Sequence, residues 1–168
     1  MTLASLNLLA PPAAKKAFLT CCGAERWADA MVSARPFPDV GTLYVSADRI
    51  WHGLAPEDWR EAFDHHPRIG DLDSLKAKYA HTRDWAAGEQ AGANGASEEI
   101  LLALAAGNLT YEAKFGHLFI VCATGKTAKE MLDLLHARLP NDPQVELVVA
   151  AEEQRKITRI RLEKLIRA

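Results

Sequence analysis

Residues 119–123, Phe119-Ile120-Val121-Cys122-Ala123, are the one strand-like run in this chain. Their isolation decides the fold class, because every other ordered stretch reads as helix. Just downstream, Thr127-Ala128-Lys129-Glu130 has the spacing of a capping box, in which hydroxyl and carboxylate each satisfy an amide of the first turn. A helix is therefore predicted from Thr127 to about Leu139. Pro140-Asn141-Asp142-Pro143 is a turn, and a long last helix runs from about Gln144 to near the end. Upstream, Ser97 with Glu98 and Glu99 makes a good N-terminus for a helix reaching about Phe115. Pro11-Pro12 opens another that Gly23 ends, and helices follow over about 24–34 and 40–53. A further one starts at Pro56-Glu57-Asp58 and must stop before Pro67. Residues 70–95 are the least regular stretch, with short helical pieces at best. The expectation is an all-α, single-domain bundle of about eight helices over residues 1–168, with one short extended segment near 119–123.

Composition narrows the function classes. At 168 residues, 49% hydrophobic and 25% charged, the chain is ordinary for one globular domain. A net charge of −2 gives no electrostatic case for nucleic acid or an anionic membrane. Nothing approaches the roughly 20 apolar residues of a membrane span. The start, Met1-Thr2-Leu3-Ala4-Ser5, lacks a signal peptide's basic and apolar regions. The last residues, Leu165-Ile166-Arg167-Ala168, lack a Ser-Lys-Leu address, so a cytoplasmic location is expected. Cys21, Cys22 and Cys122 show no metal-ligand spacing and read as free thiols.

Three places carry candidate chemistry. In His65-His66-Pro67-Arg68, the proline forces His66 out of helical geometry, where an imidazole suited to proton transfer can be aimed into a cleft. The alternative is a histidine held at a helix C-terminus by the dipole. In Trp85-Ala86-Ala87-Gly88-Glu89-Gln90-Ala91-Gly92, a carboxylate beside an amide sits among small residues that let a ligand approach; the alternative is a solvated turn. In the last helix, Ile157, Ile160 and Leu165 share a face at 100° per residue, and Arg161 falls inside it while Arg159 falls opposite. A guanidinium there needs a partner, either an internal carboxylate or a substrate carbonyl or carboxylate. Other chemistries fit less well. Ala123-Thr124-Gly125-Lys126-Thr127 resembles the end of a phosphate loop, but Ile120 stands where that motif needs glycine. The histidines include no i, i+4 zincin pair, although His65, His66, Asp64, Asp71 and Asp73 are dense enough to keep a metal-dependent hydrolase as a rival reading. A non-enzymatic helical adaptor is the other rival.

Several strings, in order and spacing, resemble the decarboxylase family of uric acid breakdown, which converts 2-oxo-4-hydroxy-4-carboxy-5-ureidoimidazoline (OHCU) to (S)-allantoin. They are Arg35-Pro36-Phe37, His66-Pro67, Glu89-Gln90, the run from Phe115 to Ala123, Arg138-Leu139 with Asn141, Glu146, and Ile157-Thr158-Arg159-Ile160-Arg161-Leu162. The resemblance implies an all-helical homodimer in purine catabolism that needs no cofactor or metal, functionally coupled to hydroxyisourate hydrolase. It implies His66 as catalytic acid with Glu89 as its partner. It implies substrate contacts from Pro67, Ala86, Gln90, Arg161 and the backbone of Phe119, Ile120, Val121, Cys122 and Ala123, whose extended geometry would leave amides and carbonyls open. Ala86 stands where the family often carries serine, so a backbone contact survives there and a hydroxyl contact does not.

Overall fold

The computed structural model of the chain describes residues 1–67, 73, 75 and 92–167, with residues 92–97 described by their backbone alone. Among these are eight helices and no strand: α1 (Leu3–Leu8), α2 (Pro11–Leu19), α3 (Glu25–Ser33), α4 (Val40–His52), α5 (Pro56–Asp64), α6 (Gly92–Phe115), α7 (Ala128–Arg138) and α8 (Pro143–Arg167). They gather into two compact units, Met1–His66 with Ala150–Ala168, and Pro67–Val149.

The first unit is built on aromatic side chains whose polar atoms are all answered. Phe18 of α2 meets Trp27 of α3 edge-on at 5.9 Å and Phe37 at 6.4 Å. Leu6, Met31, Leu43, Trp51 and Phe63 complete this buried core. The Trp27 indole N–H donates to Ala47 O (3.1 Å), and that of Trp51 to Ala151 O (3.0 Å), which ties α3 to α4 and α4 to α8. α1 was absent from the sequence expectation. Six residues cannot hold a helix alone, and this one is held from outside. Arg35 donates from Nη1 to Leu6 O (2.9 Å) and Leu9 O (2.8 Å), answering carbonyls that the helix end leaves open. Asn7 grips Phe37 by both backbone groups, at 2.9 and 3.0 Å.

The apolar stripe expected on the last helix is displaced. Ile157, Ile160 and Leu165 are half-buried, whereas the fully covered face carries Ala150, Ala151, Gln154, Thr158 and Leu162. Two polar residues hold core positions, so hydrophobicity alone pointed to the flank. Arg161 still borders the covered face. On the other side Arg155 pairs with Asp48 at 3.2 Å, and Arg159 lies over the Tyr44 ring at 3.4 Å.

In the second unit, Leu75, Leu101, Leu104, Ala105, Met131 and Leu135 form the core. α6 and α7 approach closely at Gly107, where a Cβ would come within 2.8 Å of the Leu135 side chain. The capping box forms as expected, Glu130 N–H donating to Thr127 Oγ1 (3.2 Å) and Thr127 N–H to Glu130 Oε2 (2.8 Å). α6 ends at Phe115 as expected, with Gly116 in the left-handed region (φ 71°). It begins at Gly92 instead of Ser97, because glycines at 92 and 95 that weaken a helix locally are carried by the long helix they precede.

Residues 119–123 form no strand and no helix among the described residues. Ile120 and Cys122 are buried, while Phe119, Val121 and Ala123 pack on the core cluster. A buried ionic network holds the run in place. Arg138 donates from Nη1 to Ile120 O (2.7 Å) and from Nε to Glu146 Oε1 (2.7 Å), and its guanidinium lies 4.7 Å from the Phe119 ring centroid. Glu146, fully buried, also accepts from the Tyr111 hydroxyl and from Asn141 Nδ2 (2.8 Å). Burial, reinforced by the Glu146 carboxylate, raises the Tyr111 phenol well above its ordinary range and keeps it a donor. Removing one member strands the other's charge. Glu146→Gln or Arg138→Met is therefore expected to lower unfolding free energy by about 3–5 kcal/mol in urea titrations. The paired Arg138→Met/Glu146→Leu change should lose clearly less than the sum of its singles, and strict additivity would mean the two side chains do not depend on each other.

Candidate functional site

Pro67 bars α5 from continuing, so the chain breaks at two adjacent histidines with different tasks. His65 serves the fold. Its Nδ1 lies 2.9 Å from Glu61 O at the end of α5, and its ring rests against Gly23, where any Cβ would fall within 2.3 Å of the imidazole. His66 is half-buried, its amide donating to Phe63 O (3.0 Å). Its Nε2 lies 2.5 Å from Oε1 of Gln154, which is fully buried on α8.

A polar string extends inward from that contact. Gln154 Nε2 donates to Thr158 Oγ1 at 3.1 Å, one helical turn on. Thr158 in turn hydrogen-bonds the Cys22 thiol, which also receives the Ala24 amide. Arg161 reaches the same turn of chain, Nη1 donating to Cys21 O at 3.3 Å. The internal partner of Arg161 is thus a carbonyl, and its planar fork keeps further donors for a ligand. Burial raises both thiols, Cys21 and Cys22, to about 11, so they stay protonated at neutral pH and serve as packing and acceptor groups.

Two of the residues expected from sequence thus lie in the first unit, His66 against Gln154 and Arg161 against the Cys21 carbonyl. Pro67 is exposed beside His66 in the chain, and Phe119 to Ala123 belong to the second unit. Three of the carbonyls that this run was expected to leave open are taken. Ile120 O is taken by Arg138, Cys122 O by Lys126 Nζ (2.8 Å) and Ala123 O by the Lys126 amide (3.0 Å). A buried segment outside helix and strand must satisfy its carbonyls from nearby cations and turns. Glu89, Gln90 and Ala86 lie outside the described residues.

Gln154 and Thr158 were missed in the sequence because polar residues on a terminal helix read as solvated. The signal was their i, i+4 spacing in register with Ala150, Ala151 and Leu162. The metal reading finds the two histidines directed to separate partners, and among the described residues no three His, Cys, Asp or Glu side chains gather as ligands. Among the same residues no helix is long and apolar enough to cross a membrane. The contact of Gly23 with His65 sets the backbone next to His66. Gly23→Ala should cost about 1–3 kcal/mol through overpacking. An unchanged denaturation midpoint would show that His65 can move aside freely.

The chain is similar to known proteins in sequence and fold. The OHCU decarboxylase family profile matches residues 7–163. The chain is 37% identical over 145 residues to the uric acid degradation bifunctional protein TTL of Arabidopsis thaliana, covering 86% of this chain and 45% of that protein. It is 39% identical over 59 residues to the 2-oxo-4-hydroxy-4-carboxy-5-ureidoimidazoline decarboxylase of Amia calva, covering 35% of this chain and 34% of that one. It thus spans less than half the length of these curated relatives. Among solved structures, an OHCU decarboxylase crystallised in the presence of (S)-allantoin superposes with a TM-score of 0.72 at 36% identity, over 90% of this chain and 97% of that one. An (S)-allantoin synthase shares the fold at a TM-score of 0.69 and 18% identity, over 99% of this chain and 54% of that one. With the profile spanning nearly all of its length, the chain belongs to the OHCU decarboxylase family.

Proposed function

We propose that the chain is a carboxy-lyase that decarboxylates OHCU to (S)-allantoin in urate degradation, with His66 as proton donor. The observation that carries this reading is the superposition of 90% of the chain on an OHCU decarboxylase at 36% identity, with His66 and Arg161 both held within the first unit.

The chemistry asks little more. Breaking the carbon–carboxylate bond releases carbon dioxide and leaves an electron pair, which the ring imine and carbonyl of the substrate can hold. The enzyme's part is to turn the carboxylate out of the ring plane so that the breaking bond overlaps the conjugated system. Arg161 and backbone amides of the Phe119 to Ala123 run stabilise the charge that develops on the ring. His66 then transfers a proton to one face of the carbanionic carbon, which sets the handedness of the product. Glu89 orients His66 or grips the substrate hydroxyl, and Pro67, Gln90 and the Ala86 backbone shape the remaining contacts. The electron sink lies in the substrate, so this scheme calls for no cofactor or metal.

The reading extends to a cytoplasmic homodimer in which residues 1–168 form one decarboxylase domain, working in concert with hydroxyisourate hydrolase. Support for that concert comes from the Arabidopsis relative, a bifunctional uric acid degradation protein of which this chain covers under half.

The test generates OHCU in place from urate with urate oxidase and hydroxyisourate hydrolase, and follows circular dichroism as allantoin forms. Wild-type protein should give a rapid signal of one hand; a slow, optically silent decay matching the protein-free control would overturn the reading. His66→Ala should lower kcat by about 10²–10⁴-fold while the far-ultraviolet spectrum stays helical. Near wild-type turnover in that variant would remove His66 from the donor role. Arg161→Lys should cut kcat/KM by about 10–100-fold, because an ammonium cannot make planar paired contacts.

A further inference from the structure

The hydrogen-bond string behind His66 orients the Gln154 amide. Cys22 Sγ is hydrogen-bonded to Thr158 and accepts from the Ala24 amide. Thr158 Oγ1 in turn accepts a hydrogen bond. The group beside it is Gln154 Nε2, a donor, at 3.1 Å. A carboxamide that turns its nitrogen to Thr158 must turn its oxygen to His66, and Oε1 is indeed the atom 2.5 Å from Nε2. Gln154 and Cys22 have no exposure and Thr158 has 5%, so water cannot repair a mismatch.

We infer that Gln154 is a positioning residue that sets the tautomer of His66: Nε2 carries a proton in both charge states, and Nδ1 is the nitrogen that gains and gives the catalytic one. An amide oxygen has no proton to offer, so neutral His66 must keep its hydrogen on Nε2. In the imidazolium both nitrogens are protonated, and the N–H bond that breaks during transfer is the one at Nδ1. The electron pair left there makes it the acceptor when the ring is recharged. The inference rests on the reading of His66 as proton donor, and it adds which nitrogen carries the transferred proton.

Nitrogen-15 NMR of histidine-labelled protein tests it on the resting enzyme. Neutral His66 should show a single Nε2–H tautomer whose proton exchanges slowly with solvent. Gln154→Met, close in volume and without the acceptor, should lose that protected resonance and populate both tautomers. Its kcat should fall roughly tenfold or more, as expected for a misplaced tautomer, with KM held within about twofold. Gln154→Glu keeps an acceptor at that end and should keep the protected proton. An unprotonated Nε2 in neutral wild-type His66 overturns the inference, as does a Gln154→Met spectrum identical to wild type. The wild-type spectrum decides even if a variant does not fold. Because it involves no turnover, its outcome is separate from that of His66→Ala in the decarboxylase assay.

Discussion

A buried carboxamide has to be answered at both ends, and much of the first unit is arranged around answering the one on Gln154. The side chain sits fully covered on α8, flanked along the same face by Ala150, Ala151, Thr158 and Leu162. Small neighbours at 150 and 151 bring the helix close to α4, where the Trp51 indole donates to Ala151 O. That closeness leaves no water to satisfy the amide, so it must find protein partners. Thr158 takes one end and His66 the other. The break at Pro67 and the seat of His65 against Gly23 hold His66 where it meets that demand. A packing requirement and a functional one thus converge on the same imidazole.

The second unit solves a comparable problem with charge. A run outside helix and strand exposes backbone groups to an apolar core. Arg138 answers Ile120 O while its own charge is neutralised by Glu146, and Tyr111 and Asn141 occupy the remaining carboxylate positions. Such a network is costly to assemble in a low-dielectric interior and costly to break once assembled. Replacing it with hydrocarbon could preserve stability but would leave the run without a fixed carbonyl anchor. The resemblance strings that include Arg138, Asn141 and Glu146 therefore coincide with a device that shapes the Phe119 to Ala123 backbone.

Adjacent histidines invite a metal reading, and the structure explains the density differently. His65 closes the end of α5 through Glu61 O, and His66 looks along the Gln154 string. Each imidazole has a protein partner of its own, which is how neighbouring side chains at a helix terminus diverge when the chain turns between them. The thiols behave likewise. Cys21 and Cys22 read as free thiols in the sequence, and burial keeps both protonated, Cys22 hydrogen-bonded to Thr158.

Local rules were enough to read most of the helices. The capping box at Thr127, the proline starts at Pro11 and Pro56, the stop before Pro67 and the break after Phe115 all act within a few residues and need no tertiary partner. The isolation of the 119–123 run, and with it the all-α class, followed from the same reasoning. His66 and Arg161 were legible because a proline break and a cation on an apolar flank are local anomalies. What tertiary structure alone decided involves groups far apart in the chain. α1 exists because Arg35 and Asn7 hold it; the covered face of α8 is set by what packs on it, not by which residues are most apolar; and Gln154 becomes a partner of His66 only when residues 88 positions apart in the chain are brought together. Sequence periodicity records average burial, whereas the pairing of one buried donor with one buried acceptor depends on distances that only the packed fold creates.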